Sequence, residues 1–211
     1  MKKTNFFLMT TIIFMLVVLN VSLLVKYKRL KTNNQEICAN IDSIKSFESN
    51  CQHQIKLLKE MTIQQFSSSN IELPEDIVFT TIDNKKIKLK ELINKHPKLV
   101  FRFSERNCNS CIEFVLEEIE KFSKRVGKNN IAIIASYKDL KNLLLFKDTY
   151  KCDFEIYNLD NFQFSIEELN LPFLFVIDDQ YFSRAVFTPD SQFPVLLDNY
   201  LSSIKINYFM K

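Results

Sequence analysis

Residues 99–122 (LVFRFSERNCNSCIEFVLEEIEKF) restrict the fold of this chain more than any other stretch. The apolar run 99–103 breaks after one polar turn into Cys108-Asn109-Ser110-Cys111. The cysteines open a segment in which Cys111, Val115, Ile119 and Phe122 fall on one stripe, with Ile112 and Leu116 beside it. Glu117, Glu118 and Glu120 lie largely opposite and form a solvated face. This spacing predicts a strand, a tight turn, and an amphipathic helix that begins at the cysteine pair.

The spacing also carries chemistry. In the first turn of a helix, a thiolate on Cys108 faces backbone N–H groups without intrahelical partners and the positive end of the helix dipole, both of which favour a charged sulfur. Its pKa is therefore expected below that of a free thiol. Cys111 stands three residues on, almost one turn round, within reach of a mixed disulfide formed at Cys108. Cys108 is the expected nucleophile and Cys111 the resolving thiol. Glu105 and Arg106 border the pair with opposite charges.

The flanking segments read as alternating strands and helices. Residues 77–82 alternate toward a strand, 83–85 turn it, and 87–89 return before a short helix at 90–94. Residues 131–136 are a wholly apolar strand, 139–150 a helix, and 154–157 a further strand. A short helix at 164–170 precedes Pro172; 173–178 and 181–188 form an antiparallel hairpin, and a helix at 193–204 closes the domain. This order predicts an α/β fold with right-handed crossovers.

A strand feeding C-x-x-C at a helix start, with LNLPFLFVIDDQ at 169–180, where Pro172 opens an apolar strand, resembles the thioredoxin superfamily. Within it, the chain resembles the membrane-anchored TlpA-like thiol:disulfide reductases and the wider redoxin group over residues 71–204. The resemblance implies a central mixed sheet flanked by helices and a cis peptide bond before Pro172. It also implies a groove at Leu171 and Pro172 that holds the substrate backbone beside Cys108. Protein disulfides are the implied substrates, and a membrane dithiol donor the implied source of electrons. The hairpin at 77–89 resembles the N-terminal addition of redoxins. Four positions depart from the family: Asn107 replaces the usual Trp, Ser110 replaces Pro, Leu171 replaces a smaller or hydroxyl residue, and the turn 178–180 lacks glycine. These bear on potential and substrate range rather than on fold.

Residues 6–25 (FFLMTTIIFMLVVLNVSLLV) carry no charge across 20 positions. A helix of that length spans about 30 Å, the hydrocarbon core of a bilayer, so a single transmembrane helix is expected. No small-x-small cleavage site follows it. Six basic residues and no acid lie in the first 31 positions, which leaves the remainder at net −3 although the whole chain is +3. A mildly acidic domain gives no ground for nucleic-acid binding. The flanking charges are nearly balanced and lean toward a cytoplasmic domain. The redox motif favours the extracytoplasmic, periplasmic side of the inner membrane, because that is where disulfides form.

Beyond the basic flank at 1–5 and the span at 6–25, residues 26–69 read as a helical stalk. Residues 70–211 read as the thioredoxin-like domain, the polar break 67–70 marking the boundary. In the stalk, Ile37, Ile44, Cys51 and Leu58 recur every seven residues, with Ile41 and Ile55 between them. A solvated spacer helix and a parallel homodimer through this seam are both consistent with the pattern. Five cysteines are too scattered for a disulfide scaffold, and one C-x-x-C with no second half at ligand spacing gives no metal site. Cys152 is expected as a buried thiol and His96 as a surface residue, and no cofactor is expected. The leading function is a membrane-tethered thiol:disulfide oxidoreductase. The alternative is a non-catalytic thioredoxin-fold adaptor whose cysteines hold a structural disulfide. A peroxiredoxin-type peroxidase is third, since SERNCNSC lacks the Thr and Pro context of a peroxidatic cysteine.

Overall fold

A computed structural model describes residues 2–94 and 96–210; the side chains of residues 2–14, 17, 18 and 39 lie outside the description. The chain divides into two compact units, Met1–Leu57 and Leu58–Lys211.

The first unit is helical. Helix α1 runs Lys2–Ser67, a span without Gly or Pro to break it. Several polar side chains on it fold back onto their own helix: Asn20, Thr32 and Thr62 donate to the carbonyls four residues earlier, at 2.9, 3.1 and 2.8 Å. Ile37 and Ile44 are exposed and Cys51 is half-buried. Among the described residues no helix is long and apolar enough to cross a membrane. The expected span at 6–25 falls largely on residues 6–14, 17 and 18, whose side chains lie outside the description.

The second unit is built on one seven-stranded sheet in the order β2-β1-β5-β4-β3-β6-β7. Its strands are β1 (Val78–Thr81), β2 (Lys86–Lys88), β3 (Lys98–Ser104), β4 (Ile131–Ser136), β5 (Ile156–Asn158), β6 (Phe173–Ile177) and β7 (Ser183–Phe187). Helices α2 (Leu89–Ile93), α3 (Asn109–Val126), α4 (Leu140–Thr149) and α5 (Pro194–Ile204) flank it. Strand β3 pairs parallel with β4 and antiparallel with β6, β4 pairs parallel with β5, and the β1–β2 hairpin joins antiparallel to β5. The α/β class expected from the alternation of elements is therefore found.

Side-chain alternation along β3 divides the core. Leu99, Phe101 and Phe103 point to one face, where they are buried with Ile112, Val115, Ile119 and Phe122 of α3 and Leu197 and Leu201 of α5. Val100 points to the other face, into a cluster with Phe79, Leu89, Ile93, Phe173 and Phe175. There Phe162 and Phe164 stack at 5.3 Å, and each meets Phe175 edge-on, at 5.5 and 5.3 Å. Such pairs contribute about 0.5–1.5 kcal/mol each beyond area burial, which is how a chain with 20 Phe and no Trp fills its interior.

Arg102 shares that second face and is 3 % exposed. Its Nε and Nη2 both lie 2.8 Å from Glu167 Oε1, and Nη1 and Nη2 donate to the carbonyls of Leu159 and Asp160 at 2.6 and 2.9 Å. Glu167 Oε2 accepts from Phe162 N at 3.0 Å. The segment between β5 and β6, including the 3-10 turn Ser165–Leu169, is thereby clamped onto the central strand.

The one glycine, Gly127, has φ 91, and Asn70, Asn84, Asn94 and Asn170 take positive φ at other turns. Asparagine tolerates this region because its short side chain bonds locally. Ala185 in β7 also has φ 50, beside a shift in the β6–β7 register. The Leu171–Pro172 bond is trans, as are all described peptide bonds, which corrects the cis bond implied by the family resemblance. Trans is the lower-energy isomer by roughly 0.5–1 kcal/mol. The reversal of the chain at this corner is made instead by Asn170, with φ 51 and ψ 36.

Candidate active site

The cysteine turn is held by its own main chain and by Asn107. Strand β3 ends at Ser104, whose N–H donates to Asn107 Oδ1 at 2.7 Å while Asn107 N donates to Ser104 O at 3.1 Å. Cys108 follows as the N-cap of α3, with φ −62 and ψ 123. Its carbonyl accepts from Cys111 N and Ile112 N, each at 3.1 Å, which starts the helix. No side-chain oxygen caps this end and no acid lies in the first turn, so the amides at the helix start are left to the sulfur.

Cys108 is exposed and Cys111 partly shielded. Ser110 Oγ stands 3.0 Å from Cys108 Sγ. Hydrogen bonds from the Cys111 thiol, then the Ser110 hydroxyl, then the backbone at 111 bring the Cys108 pKa down to about 7. The same bond holds the proton on Cys111, whose pKa is raised to about 11 by Cys108 first, then by burial and the charge of Asp190. The pair is thus polarised, one sulfur carrying charge at neutral pH and its neighbour the proton. Alkylation of Cys108 should accelerate through a midpoint near pH 7, because only the thiolate reacts, falling about tenfold per unit below it. Cys111 should remain nearly unlabelled at that pH; equal labelling rates measured by mass spectrometry would contradict the assignment.

Asn107 also reaches across to the other side of the site. It is 8 % exposed, and its Nδ2 donates to Asn170 O at 2.6 Å. Leu171, next in the chain, lines a cleft of about 280 Å3 with Arg106, Asn107, Lys138, Glu105 and Asp160. Pro172 is buried behind it. Of the four residues expected to form the site, then, Cys108 and Cys111 meet at the helix start and Leu171 faces the adjoining cleft. Pro172 contributes backbone rather than surface.

The remaining singled-out residues lie elsewhere. All five cysteines are free thiols. Cys152 is buried, its pKa raised by that burial, and it borders a different cleft between α3 and the segment after α4. His96 is exposed beside Asp178 and Tyr208. Sequence reasoning did not anticipate the roles of Asn107, Ser110, Asp190 and Arg102. Positions 107 and 110 were marked only as departures from the family pattern. That two polar residues sit beside the nucleophile was the available signal.

The fold and this site define a class. Strand order β4-β3-β6-β7, with β6 antiparallel to its neighbours, and a dithiol opening the helix after the central strand make a thioredoxin-like fold. No family model matches the chain, and no curated protein matches it. Solved structures similar to it include a putative thiol:disulfide interchange protein DsbE from Chlorobium tepidum, 10% identical, with a TM-score of 0.49, covering 64% of this chain and 96% of that one. Another is the peroxidoxin BcpB from Mycobacterium tuberculosis, 12% identical, TM-score 0.49, covering 66% and 97%. A third is an uncharacterized thioredoxin-like protein from Porphyromonas gingivalis, 16% identical, TM-score 0.45, covering 66% and 96%.

Proposed function

We propose that the protein is a thiol:disulfide oxidoreductase that reduces disulfides of exported proteins. The observation that carries this reading is the dithiol at the start of α3, an exposed Cys108 at the N-cap with Ser110 Oγ 3.0 Å from its sulfur and a half-shielded Cys111 one turn on, an arrangement that lowers the first thiol's pKa and raises the second's. Cys108 thiolate attacks one sulfur of the substrate disulfide; that S–S bond breaks, and the other substrate sulfur leaves as a thiolate and takes a proton. The mixed disulfide carries no charge on Cys108, so the largest influence raising the Cys111 pKa disappears at the moment Cys111 must ionise. Cys111 thiolate then attacks Cys108 Sγ, the intermolecular bond breaks, and the second substrate thiol departs. Two electrons have passed from the dithiol to the substrate, and a membrane dithiol donor restores the reduced pair.

The apolar run 6–25 is the proposed tether, with residues 70–211 as the redox domain on the extracytoplasmic side and 26–69 as a stalk. The uncharged length of the run supports this reading. Full-length protein in detergent, supplied with a dithiol, should reduce insulin, and a reporter fused after Lys211 should be active outside the cytoplasm. A chain that binds polypeptides without reducing them would be the adaptor instead, and a cytoplasmic reporter would remove exported proteins as substrates.

The heptad spacing of Ile37, Ile44, Cys51 and Leu58 leads to a further expectation. Spans sharing one bilayer hold their stalks at high local concentration, so mild oxidant should produce a dimer joined through Cys51. On non-reducing gels the band should vanish in Cys51→Ser and persist in Cys38→Ser; a wild type that stays monomeric would leave the stalk a single spacer helix.

A further inference from the structure

Asn107 occupies the position just before the nucleophile, is almost wholly buried, and uses both ends of its amide across the site. Oδ1 accepts from Ser104 N at 2.7 Å and Nδ2 donates to Asn170 O at 2.6 Å. Both partners are main-chain groups of fixed polarity, which determines which end of the amide points each way. One bond stabilises the turn that carries Cys108. The other spans 63 residues of sequence to the residue before Leu171. At the far end, Asn170 is in the left-handed region, which its own side chain supports by donating to Glu168 O at 3.3 Å. Asn107 is thus the direct link between the reactive sulfur's turn and the strip of backbone that borders the cleft.

We propose that Asn107 is a positioning residue that sets the register between Cys108 and the 170–172 segment, and so selects for polypeptide disulfides over small ones. This rests on the oxidoreductase reading above. On this proposal a polypeptide lies along the cleft that Asn107, Asn170 and Leu171 line while its disulfide meets Cys108, next to Asn107 in the chain, whereas a small disulfide needs only the exposed sulfur. Misplacing one side of such a site by a fraction of an ångström slows the aligned reaction and spares the unaligned one.

The experiment compares kcat/KM for insulin with the second-order rate for the neutral small disulfide of 2-mercaptoethanol, using full-length protein. Asn107→Leu removes both bonds at similar volume. Asn107→Asp keeps the shape and the bond from Ser104 N while losing the N–H that reaches Asn170 O; it serves should the first variant fold poorly. A charge beside Cys108 slows both reactions together, so the readout is their ratio. In both variants the ratio of insulin to small-disulfide rate should fall by about tenfold or more, the scale on which small misalignments act. Parallel losses on both substrates, or an unchanged ratio in Asn107→Asp, would overturn the proposal. A wild type that reduces neither substrate would instead remove the oxidoreductase reading, and this proposal with it.

Discussion

Under the proposed activity, replacing Cys111 by serine is expected to convert the protein from a catalyst into a trap. Cys108 would still be exposed at the start of α3, with the Ser110 hydroxyl 3.0 Å from its sulfur and the helix amides behind it. It would therefore still attack substrate disulfides, but nothing would resolve the mixed disulfide, and turnover of insulin should fall to the uncatalysed rate. Covalent complexes should then accumulate on non-reducing gels and collapse on addition of a strong dithiol. Cys108→Ser should lose turnover equally while accumulating nothing, because the remaining Cys111 is half-shielded and lies beside the negative charge of Asp190. Equal trapping by the two single variants would reverse the roles assigned here.

Arg102→Met should be strongly destabilising although it lies away from the cysteines. The guanidinium remains charged at its site; burial pulls its pKa down, and the neighbouring Glu167 opposes that pull. Truncating it strands a mostly buried carboxylate, with 17% of its side chain exposed, and two carbonyls at Leu159 and Asp160. Breaking a buried pair from one side costs about 3–5 kcal/mol, and the partial exposure of Glu167 places this case near 3. In urea unfolding, that loss should appear as a lower midpoint at unchanged slope. The double variant Arg102→Met, Glu167→Met removes the stranded charge and should recover about 1 kcal/mol or more of it. The carbonyls remain unpaired and Phe162 N–H loses its acceptor on Glu167, so recovery should be incomplete. A loss below about 1 kcal/mol in the single variant would show that water or rearrangement replaces the pair.

Local patterns made the elements readable and left the contacts between them obscure. The apolar runs at 99–103 and 131–136 report strands buried on both faces, and the stripe from Cys111 to Phe122 reports the buried face of a helix, because hydrophobic patterning is a local property. Those segments became β3, α3 and β4. Arg102 is the exception within the same strand. Set among apolar residues, it carried no sign of its partner, since Glu167 lies 65 residues away on a segment of irregular structure. Asn107 was similar: its meaning depends on a carbonyl 63 residues distant. The trans bond at Pro172 was not readable either, because the energy difference between isomers is small enough for the surrounding fold to decide it. The left-handed conformations of Lys151, Gln163 and Tyr181 carry no sequence signal, since Lys, Gln and Tyr are not residues that favour such turns.

Under the proposed function, in which the protein would handle chains with broken disulfides, the two margins of the sheet have a further consequence. Such chains are partly unfolded, and an unfolded segment adds readily to any flat, open strand it meets. At one margin β2 presents Lys86 and Lys88, both exposed, on a strand of three residues. At the other, β7 is interrupted where Ala185 turns left-handed and the register with β6 slips, a local kink that twists the strand away from straight pairing. Neither border offers an uninterrupted template. If the proposed function holds, clients that linger at the cysteine turn would thus be denied a second foothold through which transient capture could grow into co-aggregation.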